Sequence, residues 1–385
     1  MMKVLFPIGS FFPAQSGGPD NTLNWIIDEI IKDKDFQITV VTTLFGINSD
    51  YRKSYGIIPN KRKLFKDNYE VTYFALNSKN TFSPPLMKWL VRYAHKFDLL
   101  FITSFFNHHS ILTAILSKLR NVPFIISPRG ELSANAFQYG NKSKRLKFCY
   151  IKLFNQIYKN AVFHVTSKEE QNDVKRFFPK AKTNLIPNLI SVNSEIIINN
   201  SRKNILYLGR LNAIKGIENL IIAYSQLPKD IRHEHKLIIA GTGRTEYKNK
   251  LEVIINQLQI TTYVQFVGHV EGKEKEKLYL DCKVFVLPSY SENFANVVAE
   301  AINLGAYVIA SKNTPWKELA SLKLGSWIDN KPDTLAAEIQ RILNLSNDIL
   351  YCKSLKALNY LSENFDVKRN VYKYKNMILN TLAES

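Results

Sequence analysis

Cysteine is scarce in this chain of 385 residues, which has only Cys149, Cys282 and Cys352. Their separation fits no metal-ligand spacing, so we expect ordinary reduced thiols, as in a cytoplasmic protein. No run of about 20 uncharged apolar residues is present, and the first ten residues resemble a strand more than a secretory signal. We therefore expect no spanning helix and a cytoplasmic location.

Acidic residues are few relative to basic ones, and the formal net charge is +19. Residues 1–195 hold 27 Lys and Arg against 14 Asp and Glu, a net charge of +13, which leaves +6 for the remainder. A field of this sign attracts nucleic acid, an anionic membrane leaflet or phosphate-bearing substrates. A lysine-rich surface that only maintains solubility fits equally well.

Strands and helices alternate along the chain, which predicts parallel sheets covered on both faces. The first series opens with a strand at Lys3–Gly9, a glycine loop and a helix after Asp20. Its further strands are predicted at Gln37–Thr42, Leu99–Thr103, Phe124–Ser127 and Val162–Thr166. After an irregular segment at 187–203, a second series has predicted strands at Asn204–Leu208, Lys236–Ala240, Val264–Val267, Val284–Leu287 and Tyr307–Ala310.

This pattern predicts an α/β protein with two doubly wound domains, because the chain is too long for one ordinary core. We place an N-terminal domain at residues 1–190, a C-terminal domain at 203–365, and a last helix at 366–385 that crosses back to the first domain. Neither series opens with G-x-G-x-x-G after its first strand. A dinucleotide-dependent oxidoreductase is therefore disfavoured.

The most informative segment is Pro288–Gly305, in which a strand, a polar loop and a helix follow one another. Glu292 lies in the loop and Glu300 in the helix, so both carboxylates are predicted beside one helix N-terminus. The backbone amides of residues 293–296 form an anion site there, and each glutamate can accept from sugar hydroxyls. A capping loop followed by a solvated glutamate is the plainer interpretation of this segment alone.

Two further segments of the second series end strands with glycine. Gly209 is followed by Arg210 and then by Lys215, both placed to reach a diphosphate. Gly241 and Gly243 follow the strand KLIIA and let backbone approach a ligand closely. Ligands of open α/β sheets bind at such carboxyl ends of strands, although each feature taken singly is also common on surfaces.

The C-terminal half resembles glycosyltransferase family 4 of the GT-B superfamily. The resemblance covers about residues 200–320 through LGRLNAIKGIENLI, IAGTG, FVGHV and VLPSYSENFANVVAEAINLGAYVIAS, in the family's order. The first half resembles the family more loosely through SGGPDN, SPRGEL and HVTSKEE. The resemblance implies a GT-B fold, with two Rossmann-like lobes facing across a cleft.

The resemblance also implies site residues. Catalytic roles fall on Arg210 and Lys215, which hold the donor diphosphate, and on Glu292, which contacts the transferred sugar. Glu300 binds the ribose. The other implied donor-binding positions are Gly17, Gly18, Gly209, Gly241, Gly243, His269, Val270, Asn293, Phe294 and Ala295. Ala295 stands where many members have glycine, and Arg129 where many have histidine.

The implied function is retaining transfer of a hexose from a nucleotide diphosphate sugar, with UDP-sugar the expected donor, without metal or other cofactor. The expected acceptor is a glycan or lipid-linked molecule of surface polysaccharide or lipopolysaccharide biosynthesis. Asn107 and His108, in a predicted loop after LLFIT, and Arg129 are candidate contacts to the acceptor or sugar. No nucleic acid is expected as a partner.

A basic amphipathic helix is predicted at 141–159, within an acid-free stretch between Glu131 and Glu169. It is suited to peripheral contact with an anionic membrane, and equally to covering the sheet with a lysine-rich outer face. The alternatives for the whole chain are a nucleotide-sugar epimerase on the same fold and a basic protein that binds nucleic acid or membrane. The epimerase needs acid and base residues that we do not identify, and the binding protein needs a stacking platform or reading module.

Overall fold

The structure is a computed structural model that describes residues 1–14, 18–65, 69–77, 82–139, 144–159, 161–193 and 202–385. It divides into a first unit, Met1–Ser191 with Val367–Ser385, and a second unit, Val192–Asp366. Among the described residues each unit has one sheet, and the predicted α/β fold class with parallel-sheet lobes is confirmed. In the part of the chain that the structure describes, every helix is too short or too polar to span a bilayer.

The first unit is built on an eight-stranded sheet. Its strands are β1 (Met2–Pro7), β2 (Phe36–Thr43), β3 (Arg62–Phe65), β4 (Tyr69–Phe74), β5 (Leu99–Thr103), β6 (Phe124–Ser127), β7 (Val162–Val165) and β8 (Lys182–Leu185). Its helices are α1 (Gly18–Ile30), α2 (Ser49–Ser54), α3 (Pro84–Tyr93), α4 (His108–Arg120), α5 (Ala134–Tyr139), α6 (Lys144–Tyr158), α7 (Lys168–Phe177) and, at the chain's end, α16 (Val367–Asn370) and α17 (Tyr372–Ala383).

The strand order of this sheet is β3-β4-β2-β1-β5-β6-β7-β8, and only β3 runs antiparallel to its neighbour. The order reverses between β1 and β5. The central strands are buried on both faces, as in β5, where all five residues of LLFIT are buried. One apolar core lies on each face, since side chains alternate along a strand.

The second unit has a six-stranded, all-parallel sheet. Its strands are β9 (Asn204–Leu208), β10 (Leu237–Ala240), β11 (Val264–Gly268), β12 (Cys282–Leu287), β13 (Tyr307–Ser311) and β14 (Ser326–Ile328). Its helices are α8 (Ile217–Ser225), α9 (Lys229–Glu234), α10 (Thr245–Gln257), α11 (Gly272–Asp281), α12 (Asn296–Asn303), α13 (Glu318–Ser321), α14 (Pro332–Leu343) and α15 (Asn347–Phe365). The order β11-β10-β9-β12-β13-β14 is that of a dinucleotide-type doubly wound sheet.

The structure contains strands that the sequence patterns did not predict. They are the hairpin partners β3 and β4, the edge strand β8 and the three-residue β14. The sequence of β8, KTNL, is mainly polar and none of its residues is buried, so it lacks the apolar signal of a buried strand. The start of α1 is Gly18, before the expected Asp20, and α4 begins at His108, which the sequence placed in a loop.

The C-terminal segment, α16 and α17, packs into the core of the first unit. Tyr374, Met377 and Ile378 are buried in the same cluster as Val4 and Phe6 of β1. Its backbone is also tied there, because the amide of Val367 donates to Ile190 O at 2.8 Å. The first unit therefore consists of two separate stretches of sequence.

A buried histidine joins the two stretches. His164 of β7 has its Nε2 2.9 Å from Ile186 O, so Nε2 carries the proton and Nδ1 accepts from Ser127 Oγ at 2.8 Å. The hydroxyl of Tyr374 lies 3.0 Å from the same Nε2. Burial, together with the nearby Arg129 guanidinium, lowers the pKa of His164 to about 3. Burial likewise lowers the pKa of His109 on α4 to about 4.

These two histidines predict acid sensitivity. In the unfolded chain a histidine has a pKa of about 6.5, so below that pH the unfolded state takes up protons that the folded state does not. Their contribution to the free energy of unfolding is complete above pH 6.5 and is lost as the pH falls. The loss is up to about 1.4 kcal/mol per pH unit for each residue. Urea denaturation between pH 7.5 and 5 should show this decline.

The variant His164→Gln removes one of the two groups and should give a shallower decline in stability with falling pH. The matched control is His269→Gln, since the side chain of His269 is 53% exposed. It should decline as the wild type does. Equal slopes in all three proteins contradict this account of the acid sensitivity.

Candidate functional site

The candidate site lies where the strand order of the second sheet reverses, between β9 and β12. The loops that follow these strands diverge to opposite faces at such a point, and this leaves a crevice at the carboxyl ends. Residues 209–216 follow β9 and residues 288–295 follow β12. The predicted Arg210, Lys215 and Glu292 therefore all belong to loops at this crevice.

The loop after β9 is packed tightly against the loop after neighbouring β10. The amide of Gly209 donates to Ala240 O at 3.0 Å, and that of Leu211 donates to Thr242 O at 2.8 Å. A Cβ on Gly241 would lie 1.9 Å from Gly209 O, and one on Gly243 would lie 2.0 Å from Leu211 O. These glycines are thus required by the adjacent loop, whereas the sequence assigned them to close approach of a ligand.

A third glycine joins the loops after β9 and β12. Gly216 has a φ of +63°, and a Cβ there would lie 2.2 Å from Pro288 O. The amide of Tyr290 donates to Ile214 O at 2.8 Å. Side chains larger than hydrogen are excluded at Gly216 by both its backbone conformation and its surroundings. Close backbone contacts therefore hold the three loops together.

Lys215 and Glu292, 77 positions apart in sequence, form an ion pair across the crevice. Lys215 Nζ lies 2.6 Å from Glu292 Oε1, and their side chains are 15% and 11% exposed. Ser289 Oγ also donates to Glu292 Oε1, at 2.7 Å. An ionised carboxylate accepts at about four lone-pair positions, so Glu292 keeps acceptor capacity for a ligand hydroxyl.

Arg210 has a fixed backbone and an exposed side chain. Its carbonyl accepts from the hydroxyl of Tyr207 at 3.0 Å. Burial raises the pKa of Tyr207 well above its usual value, and the charge of nearby Glu292 adds to the shift. Tyr207 is therefore a neutral donor beneath the loop, while the guanidinium of Arg210 is accessible to an anion.

The turn at 293–295 is held from below by aromatic packing. Phe294 is 5% exposed and packs on Trp316 and Phe365, with ring centroids 5.3 and 5.5 Å away. Trp316 Nε1 donates to Phe294 O at 2.5 Å. Ala295, the N-cap of α12, has φ 65° and ψ 66°, a left-handed conformation that glycine adopts at lower cost. The half-buried Asn293 lies beside it in the same turn.

Glu300 lies in the second turn of α12, and not beside the helix N-terminus as the sequence predicted. Its carboxylate accepts from Lys275 Nζ at 2.8 Å and from the Tyr279 hydroxyl at 2.9 Å, both on α11. Glu292 and Glu300 thus belong to two separate ion pairs.

His269 and Val270 lie in the loop that follows β11. His269 Nε2 lies 3.8 Å from Glu271 Oε2, and the side chain of His269 is 53% exposed.

The candidate residues of the first unit are spread over several of its elements. Gly17 lies outside the described residues, and Gly18 is the first residue of α1. Asn107 is the N-cap at the end of the loop after β5, whereas His108 is the first residue of α4 and so lies outside the predicted loop. Both follow β5, next to the point where the strand order reverses.

Arg129 is half-buried in the first unit, and its role as a contact to the acceptor or sugar stays a prediction. Its Nη1 donates to Asn188 Oδ1, and its charge contributes to the lowered pKa of buried His164. The adjacent amide of Gly130 donates to Glu170 Oε1 at 2.6 Å. In the structure Arg129 therefore lies in the polar cluster around His164, which joins the C-terminal segment to the rest of the first unit.

Three residues that contact Glu300 or the loop before Asn107 were not predicted from the sequence. Lys275 and Tyr279 contact Glu300, as described above. Glu131 accepts from Ser104 Oγ at 2.7 Å and from the amides of Phe105 and Phe106, and so fixes the loop that leads to Asn107. Glu131 stands alone in an acid-poor stretch of sequence, which was an available signal of a specific role.

Among the described residues, no three His, Cys, Asp or Glu side chains gather in a way that could hold a metal ion. The metal independence of the reaction stays a prediction.

Residues 193–364 match the family model described as glycosyl transferases group 1. Two similar proteins are uncharacterized glycosyltransferases of Methanocaldococcus jannaschii. One is 37% identical over 40% of this chain and 39% of its own length, and the other is 23% identical over 97% and 96%. The O-antigen chain mannosyltransferase B of Escherichia coli is 29% identical over 36% of each chain.

Among solved structures, Anabaena HepE in complex with UDP and glucose is similar over 100% of both chains, with a TM-score of 0.72 and 20% identity. A likeness at this identity shows the fold alone. The GT-B fold class that the sequence resemblance implied is confirmed.

Proposed function

We propose that this chain, whose second unit matches the family model of group 1 glycosyltransferases, transfers a sugar from a nucleoside diphosphate donor with retention of anomeric configuration. The predicted enzyme class, a glycosyltransferase, is confirmed at the level of that family. The donor proposed is a UDP-sugar, in line with the UDP and glucose named for Anabaena HepE. One observation carries the proposal: Lys215 and Glu292 pair at the strand-order reversal, with Arg210 exposed in the same loop.

The donor diphosphate is assigned to Arg210 and Lys215. The guanidinium offers a rigid fork of donors and the ammonium a compact charge, so together they balance the charge on the departing nucleotide. Glu292 is assigned to hydroxyls of the transferred sugar, since it keeps acceptor capacity beside Lys215. Glu300 is assigned to the ribose, and the His269–Val270 loop to the nucleobase.

The proposed reaction follows a front-face route. The bond between the anomeric carbon and the diphosphate oxygen breaks, and the acceptor hydroxyl oxygen bonds to the same face of that carbon. The hydroxyl proton passes to the departing phosphate oxygen, so no protein base is needed. By analogy with the loss of one oxyanion donor, removal of Lys215 should cost roughly 3 kcal/mol of transition-state stabilisation.

The first unit is proposed to bind the acceptor, a glycan or lipid-linked molecule of surface polysaccharide biosynthesis. Support comes from the similarity to an O-antigen chain mannosyltransferase, which covers only about a third of each chain. Asn107 and His108 at the start of α4 are the proposed contacts. Arg129 is proposed only as support for this region, because its guanidinium faces Asn188.

Nucleotide binding tests the donor site directly. With UDP at about 100 times its Kd, the free energy of unfolding of the wild type should rise by about 2.7 kcal/mol, read as a higher melting temperature. Glu300→Ala and Lys215→Ala should lose most of this shift. The control Lys277→Ala, an exposed lysine on α11, should keep it. A wild type that shifts with none of UDP, GDP, ADP or UDP-glucose contradicts the proposal.

Contact with an anionic membrane leaflet is the second part of the proposal, and α6 is its surface. Leu146, Cys149 and Leu153, at i, i+3 and i+7, form an exposed stripe, and the two leucines are 66% and 74% exposed. Exposed Arg145 and Lys152 lie beside it. The opposite face of α6 is buried, so this stripe is not the face that packs on the rest of the first unit. Apolar side chains among cations suit a lipid surface better than nucleic acid.

Vesicle sedimentation tests this surface. The wild type should bind vesicles of phosphatidylserine and phosphatidylcholine and bind pure phosphatidylcholine weakly. Replacement of both Leu146 and Leu153 by serine should weaken binding at least about tenfold, because both side chains lose burial in the interface. The control replaces Val253 and Ile349, 53% and 47% exposed in the second unit, by serine. Equal binding by both double variants, or by both vesicle types, overturns the assignment.

A further inference from the structure

One helix supplies a donor to each oxygen of the Glu300 carboxylate. Lys275 Nζ lies 2.8 Å from Oε1, and the Tyr279 hydroxyl lies 2.9 Å from Oε2. Lys275 and Tyr279 are four positions apart on α11, so they lie on one face of that helix. The carboxylate is therefore fixed at both oxygens by a single rigid element.

The contacts are partly shielded from water and are supported by packing around Tyr279. The side chains of Lys275 and Glu300 are 24% and 17% exposed, and Tyr279 is 1% exposed. The ring of Tyr279 packs on Phe285 of β12, with centroids 5.7 Å apart. Burial, followed by the charge of Glu300, raises the pKa of Tyr279 well above its usual value, so its hydroxyl stays protonated. A fixed donor of this kind restricts the plane in which the carboxylate lies.

These contacts leave part of the carboxylate available. An ionised carboxylate has about four lone-pair positions, and two are occupied here. The helix that occupies them begins at Gly272, directly after the loop assigned to the nucleobase. Lys275 therefore connects two parts of the proposed site. It belongs to the helix that follows the nucleobase loop, and it contacts Glu300, which is assigned to the ribose.

We propose that Lys275 and Tyr279 are positioning residues, which orient Glu300 so that its remaining lone pairs accept from the two vicinal hydroxyls of the donor ribose. This inference rests on the proposed function. The ammonium also keeps the carboxylate compensated when a bound nucleotide excludes water from it. Without Lys275, Glu300 keeps its place on α12 but loses the restraint on its side-chain orientation.

Calorimetric titration with two ligands isolates this role from a general effect on folding. The ligands are UDP and 2′,3′-dideoxy-UDP, which lacks both ribose hydroxyls. Lys275→Met should weaken binding of UDP about tenfold, equivalent to one hydrogen bond to a charged group, and binding of the dideoxy ligand less than about twofold. Tyr279→Phe should also weaken binding of UDP more than binding of the dideoxy ligand, although by a smaller factor than Lys275→Met. Lys275→Arg should restore part of the affinity for UDP.

The matched control is Lys277→Met, which removes the same charge from an exposed position of the same helix and should change neither affinity. Equal weakening of both ligands by Lys275→Met overturns the inference, because Lys275 then acts on another part of the nucleotide or on the fold. Unchanged UDP affinity overturns it as well. If the wild type binds neither UDP, GDP nor ADP, the proposed function itself is contradicted, and the inference falls with it.

Discussion

Backbone contacts at three glycines determine the geometry on which the candidate site depends. Gly241 and Gly243 let the loop after β10 lie directly against the loop after β9, and Gly216 lets the latter meet the carbonyl of Pro288. Each position lacks room for even one methyl group. Because close-packed backbone cannot shift to make room without moving its neighbours, the three loops hold their relative positions without a ligand. Lys215 and Glu292 lie on these loops, so the positions of their backbones are fixed as well.

Charge in the second unit is organised as separate pairs on this framework. Lys215 with Glu292 and Lys275 with Glu300 each combine one cation and one partly buried carboxylate. A partly buried ion pair has limited value for stability, since desolvation offsets much of the attraction. Its value for binding is different: charges already in place need no reorganisation when an anion and its hydroxyls arrive. The unused lone pairs of both glutamates and the exposed guanidinium of Arg210 fit that purpose.

The sequence predicted where the candidate residues lie on the sheet better than it predicted how they are arranged. Strand ends and their glycines located Arg210, Lys215 and Glu292 correctly at the carboxyl edge of the sheet, because topology alone brings those ends together. The pairing of Lys215 with Glu292 joins positions 77 apart in sequence, and only the packing of the two loops reveals it.

Other features could not be predicted from the sequence. The role of Lys275 gave no signal, since a lysine in a charged helix usually faces solvent. The glycine motif at 241–243 was recognised, but the neighbour that requires it is another loop. Strand β8 was not predicted because it has no buried residue, and β14 was not predicted because three residues are too few to show an apolar pattern.

We propose that the crevice between β9 and β12 is a preformed nucleoside diphosphate site. A crystal structure of the protein with UDP tests it most directly. Diphosphate oxygens should lie within hydrogen-bonding distance of both Arg210 and Lys215, the ribose should contact Glu300, and loops 209–216 and 288–295 should keep their positions. UDP bound elsewhere, or bound only after these loops separate, would contradict it.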